Sequence, residues 1–175
     1  MGNNHPTYQA FHDYLKQVKH VEHVASIANW DQEVHMPQKG HEFRAQQLAY
    51  LSGWHHQLLT DGKLEGYLEQ LRQDDSLTES QKRNVAAVDR DLAKTRKLPT
   101  EFVQRMSQAV SEANQAWSRA REAEDFTIFS PKLKELVALN QEKARYYGYQ
   151  DHIYDALLDD FEPGLTTKTV DQVMG

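Results

Sequence analysis

Apolar residues recur every three or four positions along most of this chain, and Pro and Gly mark the breaks between runs. Phe11, Leu15, Val18, Val21, Ala25 and Ala28 predict one long helix over residues 6–34. Met36-Pro37-Gln38-Lys39-Gly40 breaks it, because Pro disfavours helix in the residue before it and Gly is permissive. A second helix follows over about 41–59, with Phe43, Leu48, Leu51 and Leu58 on its apolar side. Asp61-Gly62 ends it, and a short helix over about 63–73 carries Leu64, Leu68 and Leu71.

Capping signals organise the second half. Thr78-Glu79-Ser80-Gln81 fits a capping box, in which Thr78 and Gln81 each satisfy a backbone group at a helix start. That helix runs to about Lys97, and Pro99 suits the first turn of the next. There Val103, Met106, Val110, Ala113, Trp117 and Ala120 form a stripe suited to packing on a neighbour. Ser130-Pro131 reads as a cap followed by a first-turn Pro, Leu133, Leu136, Val137 and Ala144 as inward positions, and Gly148 as a stop. Residues 151–161 form another helix in this reading, with Ile153, Leu157 and Phe161 on one face, broken by Glu162-Pro163-Gly164. Thr166 or Thr167 then caps a last helix that has made barely two turns at Gly175. Val170, Val173 and Met174 read as the opening of a larger apolar face. The expected fold is all-α: a multi-helix array of long antiparallel helices, one helical unit over 1–175, and part of a larger helical body.

Composition narrows the function classes. The chain of 175 residues carries a net charge of −6 and no Cys, which excludes disulfides, thiolate metal sites and Cys nucleophiles. With a mean hydropathy of −0.80 and no apolar run near 20 residues, a membrane span is not expected. No basic start followed by an apolar run marks a signal peptide, so the expected location is the cytoplasm. A pI near 5.8 and the lack of interleaved aromatic and basic residues argue against nucleic acid as a partner.

The nine His residues are the first place to look for chemistry. His41-Glu42-Phe43-Arg44-Ala45 begins like the zinc-peptidase motif, but Ala45 stands where the second His ligand is needed. His20 and His23 share a helix face near Glu22, and Asp151, Asp155 and Asp159 make an acidic run; either could be a weak metal site or a solvated surface. None of the His follows a Glu three residues earlier, as a di-iron bundle requires. His55-His56 beside Trp54 reads as helix surface with an aromatic anchor. Trp30-Asp31-Gln32-Glu33, just before the Met36-Pro37 break, is more unusual. Asp31 and Arg44 can pair across that break and fix the angle between the first two helices, in strongest form through two parallel hydrogen bonds. The functional alternative is that one of them meets a ligand. The structural candidates are therefore Trp30, Asp31, Gln32, Arg44 and Gln47, with no catalytic or metal-binding residue among them.

These residues also carry a resemblance. Asn29-Trp30-Asp31-Gln32-Glu33-Val34-His35-Met36-Pro37, then Arg44-Ala45-Gln46-Gln47-Leu48-Ala49-Tyr50-Leu51-Ser52, resembles the opening segment of the carboxypeptidase Taq family, the M32 metallocarboxypeptidases. Lys97-Leu98-Pro99, Ala113-Asn114-Gln115-Ala116-Trp117, Asp125-Phe126, Phe129-Ser130-Pro131 and Tyr154 through Thr166 continue the match in order. The resemblance covers residues 10 to 175 and only about the first third of a family member. It implies an all-helical, metal-dependent peptidase that removes C-terminal residues with broad specificity, as a cytoplasmic homodimer. The family's zinc is held by an H-E-x-x-H helix and a downstream Glu, none of which this chain contains. No metal is therefore expected in these residues, which would wall the substrate groove and leave this chain inactive alone. The expected partners are peptide substrate, the catalytic part of the enzyme and a second copy. The competing readings are a free-standing helical interaction module derived from the family, and a metal-binding helical protein using His20, His23 and the Asp151–Asp159 face.

Overall fold

The computed structural model describes residues 5–174, and among them every regular element is helical. Helix α1 spans Pro6–Val34, α2 His41–Leu59, α3 Gly62–Arg72, α4 Glu79–Thr95, α5 Thr100–Glu122, α6 Ser130–Tyr147, α7 Asp155–Leu158 and α8 Thr167–Met174. Short 3₁₀ turns occupy Gln38–Gly40 and Phe126–Ile128. The helices gather into two compact units, residues 1–111 and 112–175. The boundary falls inside α5, with no linker between them.

Local chemistry sets the helix ends. His5 caps α1 by accepting the Tyr8 N–H at its Nδ1, and Pro6 follows in the first turn. The Thr78–Gln81 capping box is present, with Gln81 Oε1 accepting the Thr78 N–H at 2.9 Å. Asp61 caps α3 through the Lys63 N–H. At the end of α6, Gly148 takes a φ of +77°, a conformation that Gly adopts without side-chain strain.

The core of the first unit joins three helices and one turn. Phe11, Tyr14 and Val18 of α1 pack with Leu64, Leu68 and Leu71 of α3, Val85 and Leu92 of α4, and Leu77 before it. Phe11, Leu64 and Leu68 are fully buried, so truncating either Leu to Ala costs about 2–5 kcal/mol. On the surface, Arg72 binds Asp89 through Nε and Nη2 and Glu65 through Nη1, while Arg96 bridges the same two carboxylates. In the second unit, Leu139 and Ala144 of α6 and Ala156 of α7 are buried, and Lys132 ties α6 to Glu112 of α5.

Several sequence expectations are corrected. Phe43 is 66% exposed, and Ala45, Leu48, Ala49 and His56 form the buried side of α2 instead. Val110 and Trp117 of the expected α5 stripe are half exposed, while Ala113 and Ala120 are buried as expected, together with Phe102, Ala109, Ser111 and Ala116. On α6, Leu133 and Val137 turn outward and Leu139 takes the interior place. Pro99 precedes the first helical residue of α5, and Ser130 is itself the first residue of α6, with Phe129 in the cap position. The helix expected over 151–161 is a single turn, Asp155–Leu158. Its aspartates bind nearby backbone N–H groups and so favour turns over helix propagation.

Candidate functional site

The site builds from the break between α1 and α2. Arg44, in the second turn of α2, sends Nη2 to Asp31 Oδ2 at 2.6 Å and Nη1 to the Ala28 carbonyl oxygen. Its Nε donates to Gln47 Oε1 at 3.0 Å, which fixes the guanidinium plane from its own helix. One carboxylate oxygen and one backbone carbonyl thus take the two prongs of the fork, in place of two carboxylate oxygens. Gln32, one residue after Asp31, points into the protein and is buried, accepting the Ser111 hydroxyl at Oε1. Trp30 points the other way, 55% exposed, with its ring edge-on to His35 at 5.0 Å between centroids. Of the five structural candidates, Asp31 and Arg44 form one tie across the break, Gln47 orients the Arg, Gln32 faces inward and Trp30 outward.

Trp30 overhangs a cleft of about 650 Å³ within the first unit. Glu22, Ala25, Ser26, Asn29 and Glu33 line it from α1, Leu48, Leu51, Ser52 and His55 from α2, and Ser107, Val110 and Ser111 from α5. Ser52 and Ser107 share a hydrogen bond at 2.9 Å across its floor. Glu22 accepts from Lys19 at 2.6 Å and faces His55 at 4.0 Å. The Lys19 hydrogen bond, with help from His55, holds the Glu22 carboxyl below its usual range. Burial also lowers the His55 pKa, which for an imidazole favours the neutral ring. The cleft thus joins an aromatic face, acidic acceptors and hydroxyls.

Sequence reasoning missed two parts of this region. His56 is buried: its Nε2 donates to the Thr95 carbonyl at 3.0 Å, and its Nδ1 faces Thr100 Oγ1 at 3.0 Å. It joins α2 to the last residue of α4 and the first of α5, which corrects the surface reading of His56. The Ser52–Ser107 and Gln32–Ser111 bonds span 55 and 79 residues and left no local signal. His20 and His23 are exposed on α1, and His41-Glu42 opens α2. Asp155 and Asp159 bind backbone amides. Among the described residues no three His, Asp or Glu side chains come together as a cation site, so the donor set here does not fit a catalytic metal.

Comparison with known proteins gives this architecture its context. The family model for carboxypeptidase Taq (M32) metallopeptidases matches residues 10–175. Carboxypeptidase 1 of Bacillus subtilis (strain 168) is 33% identical over 170 residues, covering 97% of this chain and 34% of that protein. Thermostable carboxypeptidase 1 of Pyrococcus furiosus is 34% identical over 153 residues, covering 87% of this chain and 31% of that protein. The chain therefore spans about a third of the length of these relatives. The solved structure described as "BsuCP Crystal Structure" superposes with a TM-score of 0.92 at 33% identity, over 97% of this chain and 34% of that one. The Pyrococcus furiosus carboxypeptidase structure gives 0.76 at 31% identity, over 98% of this chain and 34% of that one. With the motifs in order from residue 10 to 175 and the helical fold shared with solved carboxypeptidases, the chain belongs to the carboxypeptidase Taq (M32) metallopeptidase family.

Proposed function

We propose that this chain is the amino-terminal helical part of a zinc-dependent carboxypeptidase that releases C-terminal residues from peptides with broad specificity. In this reading the cleft of α1, α2 and α5 walls one side of the substrate groove. The observation that carries it is the match over 10–175 together with a backbone superposition of 0.92 on a carboxypeptidase of three times the matched length. The cleft lining supports it, since Trp30 offers a stacking face and Glu22, Glu33 and the serines offer hydrogen bonds to a peptide. The wall's work is binding and orientation. In this reading the zinc belongs to the catalytic part, and no hydrolytic step is assigned to this chain. The same reading places the enzyme in the cytoplasm as a homodimer.

The test is a chimera in which this chain replaces the matched third of the Bacillus subtilis relative. It should release C-terminal amino acids from amino-blocked peptides, and Trp30→Ala should raise KM about three- to tenfold with kcat little changed, as loss of one aromatic contact predicts. A folded but inert chimera would count against the family function. An active chimera indifferent to Trp30→Ala would remove the cleft from the groove.

A further inference from the structure

The cleft of α1, α2 and α5 carries one sign of charge on its walls. Glu22, Ser26, Trp30 and Glu33 follow one another along α1 at spacings of four, four and three, which puts them on one helix face lining the cleft. Among the described residues, no Lys or Arg lines it. The two carboxylates differ in their surroundings. Glu22 is already answered by Lys19 at 2.6 Å. Glu33 is exposed and has no hydrogen bond or ion pair with another described residue. It also lies in the last turn of α1, where the helix dipole disfavours a carboxylate and favours a cation. Asp31, in that same turn, is answered by Arg44. Trp30 stands three residues before Glu33, half exposed, and His35 braces its ring edge-on at 5.0 Å. Leu48 and Leu51 of α2 and Val110 of α5 add apolar surface to the same cleft. An indole face and an unpaired carboxylate beside apolar surface match a cationic head on an aliphatic stem. The same charge repels a carboxylate, so the C-terminal end of a peptide is disfavoured here.

We infer that Trp30 and Glu33 form a subsite for a Lys or Arg side chain of the peptide substrate, at a position upstream of the residue released. This rests on the groove-wall reading above and adds to it the class of side chain that the wall selects. The head group sits against the Trp30 face and the Glu33 carboxylate, and the stem lies along the apolar surface of α2 and α5. A free peptide α-amino group carries the same charge but has no stem to use that surface, so the side chain is the better fit.

The test titrates the purified 175-residue chain with amino-blocked, carboxy-amidated Ala tripeptides carrying Lys, norleucine or Glu at the centre, followed by the NMR signal of the Trp30 indole N–H. A further peptide carries norleucine and a free α-amino group. The Lys peptide should move that signal and bind about fivefold or more tighter than the norleucine peptide, and the Glu peptide should bind weakest. Glu33→Gln should bring Lys and norleucine to within about twofold of each other, Glu33→Asp should keep part of the preference, and Trp30→Leu should reduce it. Equal binding of Lys and norleucine by the wild type, or a preference that survives Glu33→Gln, would overturn the proposal. Tightest binding by the free-amine peptide would assign the site to a peptide amino terminus and also overturn it. The Bacillus chimera carries the second arm. Amino-blocked peptides with Lys or norleucine at each upstream position in turn should differ in KM by about fivefold at one position, and Glu33→Gln should erase that difference. An active chimera with no such position would mean that the catalytic part fills the site, which overturns the proposal and leaves the proposed function standing. A chimera without activity would count against that function, and the titration would still decide the cation site.

Discussion

Arg44 reaches back over the Met36–Gly40 break and grips α1 twice, at the Asp31 carboxylate and at the Ala28 carbonyl oxygen. The cation sits near the carboxyl end of α1, where the helix dipole favours it. Lys keeps the charge but lacks the planar fork. Arg44→Lys should therefore lose nearly as much as Arg44→Ala, about 1–2 kcal/mol after allowing for the partial exposure of the pair. Chemical denaturation of both variants measures this. Full stability in Arg44→Lys would show that charge alone is at work, and an additive cycle with Asp31→Asn would show that the pair is uncoupled.

Gly53 allows α2 to approach α5. A Cβ built there falls 2.6 Å from Gln104 Cγ, a distance that real Cβ contacts do not reach. Ala gains about 1 kcal/mol over Gly in helix propensity, whereas overpacking costs about 1–3 kcal/mol. Gly53→Ala should be destabilising overall, and Gln104→Ala in the same chain should turn the gain positive. Calorimetry of the single and double variants decides it; a stabilised single variant would mean that Gln104 swings aside freely.

Asp74 sets the acid behaviour of the amino-terminal end. Hydrogen bonds from the Ser76 hydroxyl and amide, and then from His5, hold its carboxyl down to about 2. A carboxylate depressed in the folded state stabilises above its unfolded value near 3.8 and loses that contribution as pH falls towards 2. Asp74→Asn should therefore flatten the pH dependence of Tm between about 4 and 2. Parallel curves for the two proteins over that range would contradict the assignment.

Asp155 is the tie between α7 and α8. Asp155→Asn turns one acceptor oxygen into a donor, and Asp155→Ala removes both. Amide exchange at Thr167–Val170 should speed up about tenfold or more in the Ala variant, because the Thr167 amide and hydroxyl lose their acceptor. Unchanged exchange would mean that Thr166, whose hydroxyl accepts the Thr169 N–H, caps α8 sufficiently alone.

How much was legible varies with the range of the signal. The long helices, 6–34 and 41–59, follow from apolar spacing and from the Pro37–Gly40 break, and the Thr78–Gln81 box is a four-residue pattern that needs no tertiary knowledge. The 151–161 reading failed because helix periodicity was present in Ile153 and Leu157, while Asp155 and Asp159 satisfied turn amides instead. Phe43, Val110 and Trp117 looked inward by type, yet small Ala residues fill the close-packed faces of α2 and α5. At the site, Asp31 and Arg44 were readable as complementary charges either side of a break. The cleft was not, because its floor depends on serines brought together from positions 52 and 107.

Under the proposed function, these 175 residues shape the groove of a metallocarboxypeptidase and do not hydrolyse peptides by themselves. The most direct measurement is release of free amino acids from an amino-blocked peptide by the purified chain, assayed with added zinc, with chelator and after heat treatment. The account predicts no release above the heat-treated control in any condition. Zinc-dependent release by the chain alone, abolished by chelator, would contradict it.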